Sequence, residues 1–155
     1  MAGKIDAHLA DLGITLPAAT APVANYVPYV VAGNLVHISG QITMENGDLK
    51  FVGKLGKDYQ VEDGQKAARL CALNLVAQLK SAIGDLDKVT RVVKLNAFVN
   101  SDPAFTDQPK VVNGASDTMV EIFGDAGKHA RSAVGVASLP LGVAVEIDGI
   151  FEVAA

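Results

Sequence analysis

The sequence predicts one α+β domain of two layers, with two long helices covering one face of a mixed β-sheet. Three observations lead there. Two long segments carry apolar residues at helical spacing and each runs into a glycine. The segments around them alternate apolar and polar residues, as half-buried strands do. The order is a hairpin, then strand and helix in turn, then two closing strands, which suits a sheet with helices on one side. A chain of 155 residues sits within the usual range of a single domain and can bury roughly two-thirds of its unfolded surface.

Taken in order, the run Ile5 to Leu12 places apolar residues one helical turn apart and ends at Gly13, so it reads as a short helix. Residues 13 to 24 are rich in Ala, Thr and Pro and read as a connector. The division that follows is residues 1–24 as helix and connector, and residues 25–155 as the domain proper. Tyr26 to Ala32 and Leu35 to Ile38 are strand-like on either side of Gly33-Asn34, a hairpin signal, and lead into Ser39-Gly40-Gln41. Asn46-Gly47 marks a second tight turn.

From Val61 to Ile83 the stripe Ala68, Ala72, Leu75, Leu79 and Ile83 defines the first long helix, stopped at Gly84. Val89 to Val99 alternates, with Val89, Val93, Leu95, Ala97 and Val99 expected on the core face. Asp107 to Phe123 returns to helical spacing through Val112, Ser116, Met119, Val120 and Phe123, with Gly124 as the stop. Two strands, Arg131 to Ala137 and Val143 to Val153, close the chain across the turn-like segment Ser138 to Gly142. Within the first of these, Val134 and Val136 are expected to face the helices, turning Arg131, Ala133 and Gly135 to the opposite face. Within the last, Val145, Ile147 and Phe151 take the core and Glu146 the opposite face. Paired as neighbours, these two strands would set Arg131 and Glu146 side by side. The residues alone leave open whether such a pair is a structural ion bridge or the floor of a carboxylate pocket.

Composition narrows the function classes. The chain is 50% hydrophobic with 5% aromatic residues and no tryptophan, and 17 acidic against 13 basic residues give a net charge of −4. No basic cluster is present, which argues against duplex DNA as a partner. A mean hydropathy of +0.29 is high for a small soluble monomer and is most simply accommodated by self-association. No apolar run reaches the length of a membrane span, and the amino terminus lacks an export layout. With a single cysteine, Cys71, a cytoplasmic setting is expected. His8, His37 and His129 are far apart and share no ligand spacing with Cys71, so no metal site is expected. His8 reads as a surface residue and His37 as a partly exposed strand residue.

The run Ala130-Arg131-Ser132, with Val134, Ala137, Leu139-Pro140 and Val145-Glu146-Ile147, closely resembles the carboxy-terminal signature of the reactive intermediate deaminase family, also called the YjgF or endoribonuclease L-PSP-like family. Gly33-Asn34 through Ser39-Gly40-Gln41-Ile42 resembles that family's hairpin and Ser-Gly-Gln turn. The likeness extends from about Tyr26 to Val153, and the amino-terminal helix resembles an extension found in one branch. The resemblance implies a chorismate-mutase-like fold and a homotrimer with a central β-barrel, outer helices and clefts between subunits. It further implies hydrolysis of small enamine or imine acids to 2-oxo acids and ammonia, with no cofactor. In that scheme Arg131 holds the substrate carboxylate, Glu146 orients water, Tyr26 closes the cleft, and Ser39, Gly40, Asn113 and Ala133 line it. Two positions depart from the family pattern: Ala133 stands where a cysteine is frequent, and His129 where proline is usual. The alternatives carried beside deamination are a binder of small carboxylates without turnover and, less favoured, an endoribonuclease.

Overall fold

The computed structural model describes residues 3–19 and 25–155. Its elements follow the sequence pattern closely. A short helix, α1 (Lys4–Asp11), precedes the hairpin β1 (Tyr29–Ala32) and β2 (Leu35–Gln41). A small second hairpin follows, β3 (Met44–Glu45) and β4 (Asp48–Leu49), turned by Asn46-Gly47 with both residues at positive φ. Then come α2 (Val61–Ile83), β5 (Val89–Asn100), α3 (Gln108–Phe123), β6 (Ala130–Val136) and β7 (Val145–Val153). The expected first strand from Tyr26 begins only at Tyr29, and the last at Val145. Residues 20–24 of the expected connector lie outside the described residues.

Local chemistry explains where the helices begin and end. Asp63 accepts a hydrogen bond from the Gln60 backbone N–H at 3.0 Å while the Gln60 side chain caps the Asp63 amide, a reciprocal box at the start of α2. Gly84, at φ 79°, closes the same helix. The carboxylate of Asp87 receives the backbone N–H groups of Lys4 and Ile5, both at 2.8 Å, and so caps α1 from a distant part of the chain. Those two bonds hold the Asp87 carboxyl below its usual range. Leu9 carries α1 into the core.

The main sheet has the strand order β1-β2-β7-β5-β6, antiparallel throughout except for β5 and β6, which run parallel. The helices α2 and α3 pack on one face. They bury Val36 and Ile38 of β2, Val92, Leu95, Ala97 and Val99 of β5, and Val145, Ile147 and Phe151 of β7. The two helices touch closely: a Cβ on Gly114 would stand 2.7 Å from the carbonyl carbon of Gln65, and Gln65 Nε2 donates to the Lys110 carbonyl at 3.0 Å. Cys71 lies fully buried, and burial pushes its thiol well above the usual range.

Four expectations are corrected. The strands β6 and β7 are not neighbours, because β5 lies between them; the crossover β5–α3–β6 makes a parallel pair, as such units do. The faces of β6 are also inverted. Arg131, Ala133 and Gly135 register with Leu95, Ala97 and Val99 on the helix side, whereas Val134 is 45% exposed on the other. Finally, a register shift between Val92 and Lys94 puts Val92 in the core in place of Val93. On α3, Val120 likewise falls outside the core.

Candidate functional site

Arg131 projects from the second residue of β6, the edge strand, toward α3. One face of α3 meets it: Pro109, Asn113 and Ser116 lie three or four residues apart, hence on one stripe. Arg131 Nη1 donates to Asn113 Oδ1 at 2.9 Å and to Ser116 Oγ at 3.1 Å, and Nη2 donates to the Pro109 carbonyl at 3.2 Å. All three partners are neutral oxygens. Among the described residues no carboxylate lies within ion-pairing distance of the guanidinium. A guanidinium has five N–H donors in a fixed plane. Three are engaged, and Nε–H with one Nη2–H have no acceptor among the described residues.

Ser116 has a further partner. His129, immediately before β6, lies with Nε2 2.9 Å from Ser116 Oγ and Nδ1 2.6 Å from the Gly127 carbonyl. Ala133 follows Arg131 on the same face, packed against the core.

Glu146 occupies the other face. It stands on β7 opposite Phe98 of β5, and its half-buried carboxylate lies against the backbone of Gly40. The room for it comes from a register shift in β2 between Ile38 and Gln41, so the Ser-Gly-Gln segment is a bulge within the strand and not a turn after it. A Cβ on Gly40 would come 3.1 Å from the Glu146 carboxyl carbon and closer still to Oε2. Desolvation, and next the charge of Asp148 two residues on, raise the Glu146 carboxyl above its ordinary value. Ser39 Oγ donates to the Val27 carbonyl at 2.7 Å and Ser39 N–H to the Pro28 carbonyl at 2.9 Å. Those bonds fix the segment that carries Tyr26, whose side chain is 53% exposed.

The expected site residues therefore form two groups in one chain. Arg131, Asn113 and Ala133 meet on the helix side of the edge strand; Glu146, Gly40 and Ser39 meet on the uncovered side, with Tyr26 beyond them. Arg131 and Glu146 are two strands and three residues apart, roughly 14 Å between Cα atoms from strand geometry, and point to opposite faces. The cross-strand ion pair is ruled out by this arrangement. Sequence reasoning did not give a site role to Ser116 or to the Pro109 carbonyl; the i, i+4, i+7 spacing of Pro109, Asn113 and Ser116 was the available signal. His37 is exposed on β2, and His8 is exposed with Nε2 2.8 Å from the Glu121 carbonyl.

Residues 6–149 match the family model described as "YjgF/chorismate mutase-like, putative endoribonuclease". The chain belongs to this family. Protein TCP17 of Trypanosoma cruzi is 54% identical over 151 residues, which cover 97% of this chain and 94% of that protein. A 2-iminobutanoate/2-iminopropanoate deaminase of Dermatophagoides farinae is 34% identical over 137 residues, covering 88% and 92%. A crystal structure of a protein of unknown function from Agrobacterium tumefaciens aligns with a TM-score of 0.90 at 50% identity, covering 96% of this chain and 92% of that one. The YjgF-like fold is thus an α+β sheet with its helices on one side, and no helix among the described residues is long and apolar enough to cross a membrane.

Proposed function

We propose that this YjgF-like chain hydrolyses small 2-imino acids to 2-oxo acids and ammonia in a cleft formed between subunits of a homotrimer. The observation that carries the proposal is the state of Arg131: a cation fixed by three neutral oxygens, without an acidic partner among the described residues, and with two N–H donors still available. A guanidinium so prepared is suited to a carboxylate, which it binds through two parallel hydrogen bonds. Because Arg131 and Glu146 face opposite sides of one sheet, a site using both requires Arg131 from one subunit and Glu146 from another. The proposed trimer, with the uncovered faces of its sheets forming a central barrel, supplies that arrangement. The deaminase name of the 34%-identical relative supports the same chemistry.

In the proposed reaction Arg131 holds the carboxylate and orients the adjacent C=N carbon. Water adds to that carbon while Glu146 takes one of its protons and passes it to nitrogen; the carboxylate then takes the proton of the new hydroxyl and delivers it to nitrogen, so that C=O forms, the C–N bond breaks and ammonia leaves. One water is consumed and one ammonia is released. A carboxyl raised above its ordinary value by burial is better matched to this double role near neutrality than an exposed glutamate. Tyr26, held near the bulge through Ser39, closes the cleft, and the backbone at Ala133 lines it. The test couples the protein to an amino-acid oxidase and follows imine loss by semicarbazide trapping. Faster loss in the presence of wild-type protein and not of Arg131→Met is expected. No acceleration with any of several amino acids would refute deamination.

A second reading is favoured by one feature: the Arg131 cluster is complete within a single chain and needs nothing from Glu146. On that reading the protein binds small carboxylates without converting them. Saturable binding of a 2-oxo acid with no effect on imine loss would select it.

A further inference from the structure

His129 and Ser116 form a chain of hydrogen bonds that ends on Arg131, and the donors can be assigned along its length. A carbonyl oxygen only accepts, so at 2.6 Å from the Gly127 carbonyl the His129 Nδ1 carries a proton. In the neutral ring Nε2 is then an acceptor, and Ser116 O–H, 2.9 Å away, donates to it. That fixes the hydroxyl rotor and turns a lone pair of Ser116 Oγ outward, where Arg131 Nη1 donates at 3.1 Å. Asn113 Oδ1 takes the other Nη1 proton and the Pro109 carbonyl one from Nη2. With the imidazole neutral, each bond in this series has one consistent direction, and together they fix the plane of the guanidinium.

We propose that His129, acting through Ser116, is a positioning residue that sets the Arg131 guanidinium in the orientation needed to grip a ligand carboxylate. The proposal rests on the carboxylate-binding reading of Arg131. A guanidinium only donates, so Ser116 must present a lone pair to it; the His129 acceptor holds the hydroxyl proton away and keeps that lone pair aimed at Arg131. Gly127 sets the imidazole in turn. A Cβ there would come 2.6 Å from the carbonyl carbon of Met119, so the turn before β6 packs directly on α3. The ring is thereby held by the same helix that supplies the other Arg131 partners.

The test uses the full-length protein in its native assembly and two readouts. The first is NMR order of the Arg131 Nε–H group without ligand, assigned by loss of its signal in Arg131→Lys. The second is the dissociation constant for pyruvate. His129→Phe keeps the ring's bulk and removes its acceptor, Ser116→Ala removes the intermediary, and His129→Gln restores an acceptor of similar reach. The expected result is that His129→Phe and Ser116→Ala each loosen the guanidinium and weaken pyruvate binding about tenfold, the scale of one charged hydrogen bond. The double variant should be no worse than either single one, and His129→Gln should recover most of the loss. Unchanged Arg131 order in His129→Phe, or additive effects in the double variant, would overturn the proposal even if thermal stability fell. If the wild-type protein binds no 2-oxo acid while His129→Phe still frees Arg131, the carboxylate reading fails and the positioning role stands.

Discussion

Gly40→Ala tests the packing of the bulge against Glu146. An added methyl would sit 3.1 Å from the Glu146 carboxyl carbon, 3.3 Å from Cγ, and within hard contact of Oε2. The backbone conformation at this position is open to alanine, so the whole effect is steric. Because the opposing atoms belong to a flexible side chain, Glu146 turns away and the strand stays in place. An off-rotamer glutamate and local overpacking together cost about 1–2 kcal/mol. For a chain of this size that is a fall in Tm of about 2–8 °C. The assay is thermal unfolding of wild type, Gly40→Ala, Glu146→Ala and the double variant at one protein concentration, which matters for any assembled protein. Once the carboxylate is gone, Gly40→Ala should cost no more than a few tenths of a kcal/mol. Equal costs in the two backgrounds would refute the contact. Imine hydrolysis, where measured, should fall in Gly40→Ala because the displaced carboxylate no longer meets the water.

Other consequences follow from the same structure. The Glu146 carboxyl is raised in the folded state, so its contribution to stability is present below its ordinary value and is lost as pH rises through the raised one. Glu146→Gln should therefore gain on wild type in urea unfolding as pH climbs through that window, and a constant difference would contradict the burial. Gly114→Ala forces a methyl against the Gln65 backbone, 2.7 Å from its carbonyl carbon; we expect about 2–3 kcal/mol of destabilisation by denaturant unfolding, with weaker carboxylate binding because α3 carries Asn113 and Ser116. The cap on α1 depends on an ionised Asp87 whose carboxyl is lowered by the bonds from Ile5 and Lys4. Asp87→Ala should speed amide exchange at those two residues, and in wild type the protection should persist until pH falls through the lowered value.

Much of this architecture was legible in the sequence because its signals are local. Gly84 and Gly124 end α2 and α3 where the helical spacing ends, and the Asn46-Gly47 turn needs nothing beyond its own backbone. Glu146 was assigned the correct face since β7 alternates cleanly between bulky apolar and polar residues. The opposite error on β6 has an equally plain cause. Its residues Ala133, Val134, Gly135 and Val136 are all small or apolar, so alternation carries little information, and as an edge strand it exposes its larger valine. The small residues Ala133 and Gly135 face the helix side, where Gln108 of α3 lies close to Gly135, yet none of β6 is fully buried. Pairing β6 with β7 followed from adjacency in sequence, whereas the βαβ rule applied to β5–α3–β6 would have put β5 between them. Faces and neighbours decide which polar groups can meet, so both mistakes changed the site: Arg131 and Glu146 became members of two clusters on opposite sides of one sheet.

The most direct measurement of the central claim is a mixing experiment with two inactive proteins. Arg131→Met and Glu146→Gln subunits, each unable to hydrolyse imines alone, are unfolded together, refolded and assayed with an amino-acid oxidase and semicarbazide. Clefts that take Arg131 from one subunit and Glu146 from another must include, in mixed trimers, some with both residues intact, so activity should return to a substantial fraction of wild type. Mixed assemblies, verified by mass, that remain as inactive as their parents would contradict a shared site.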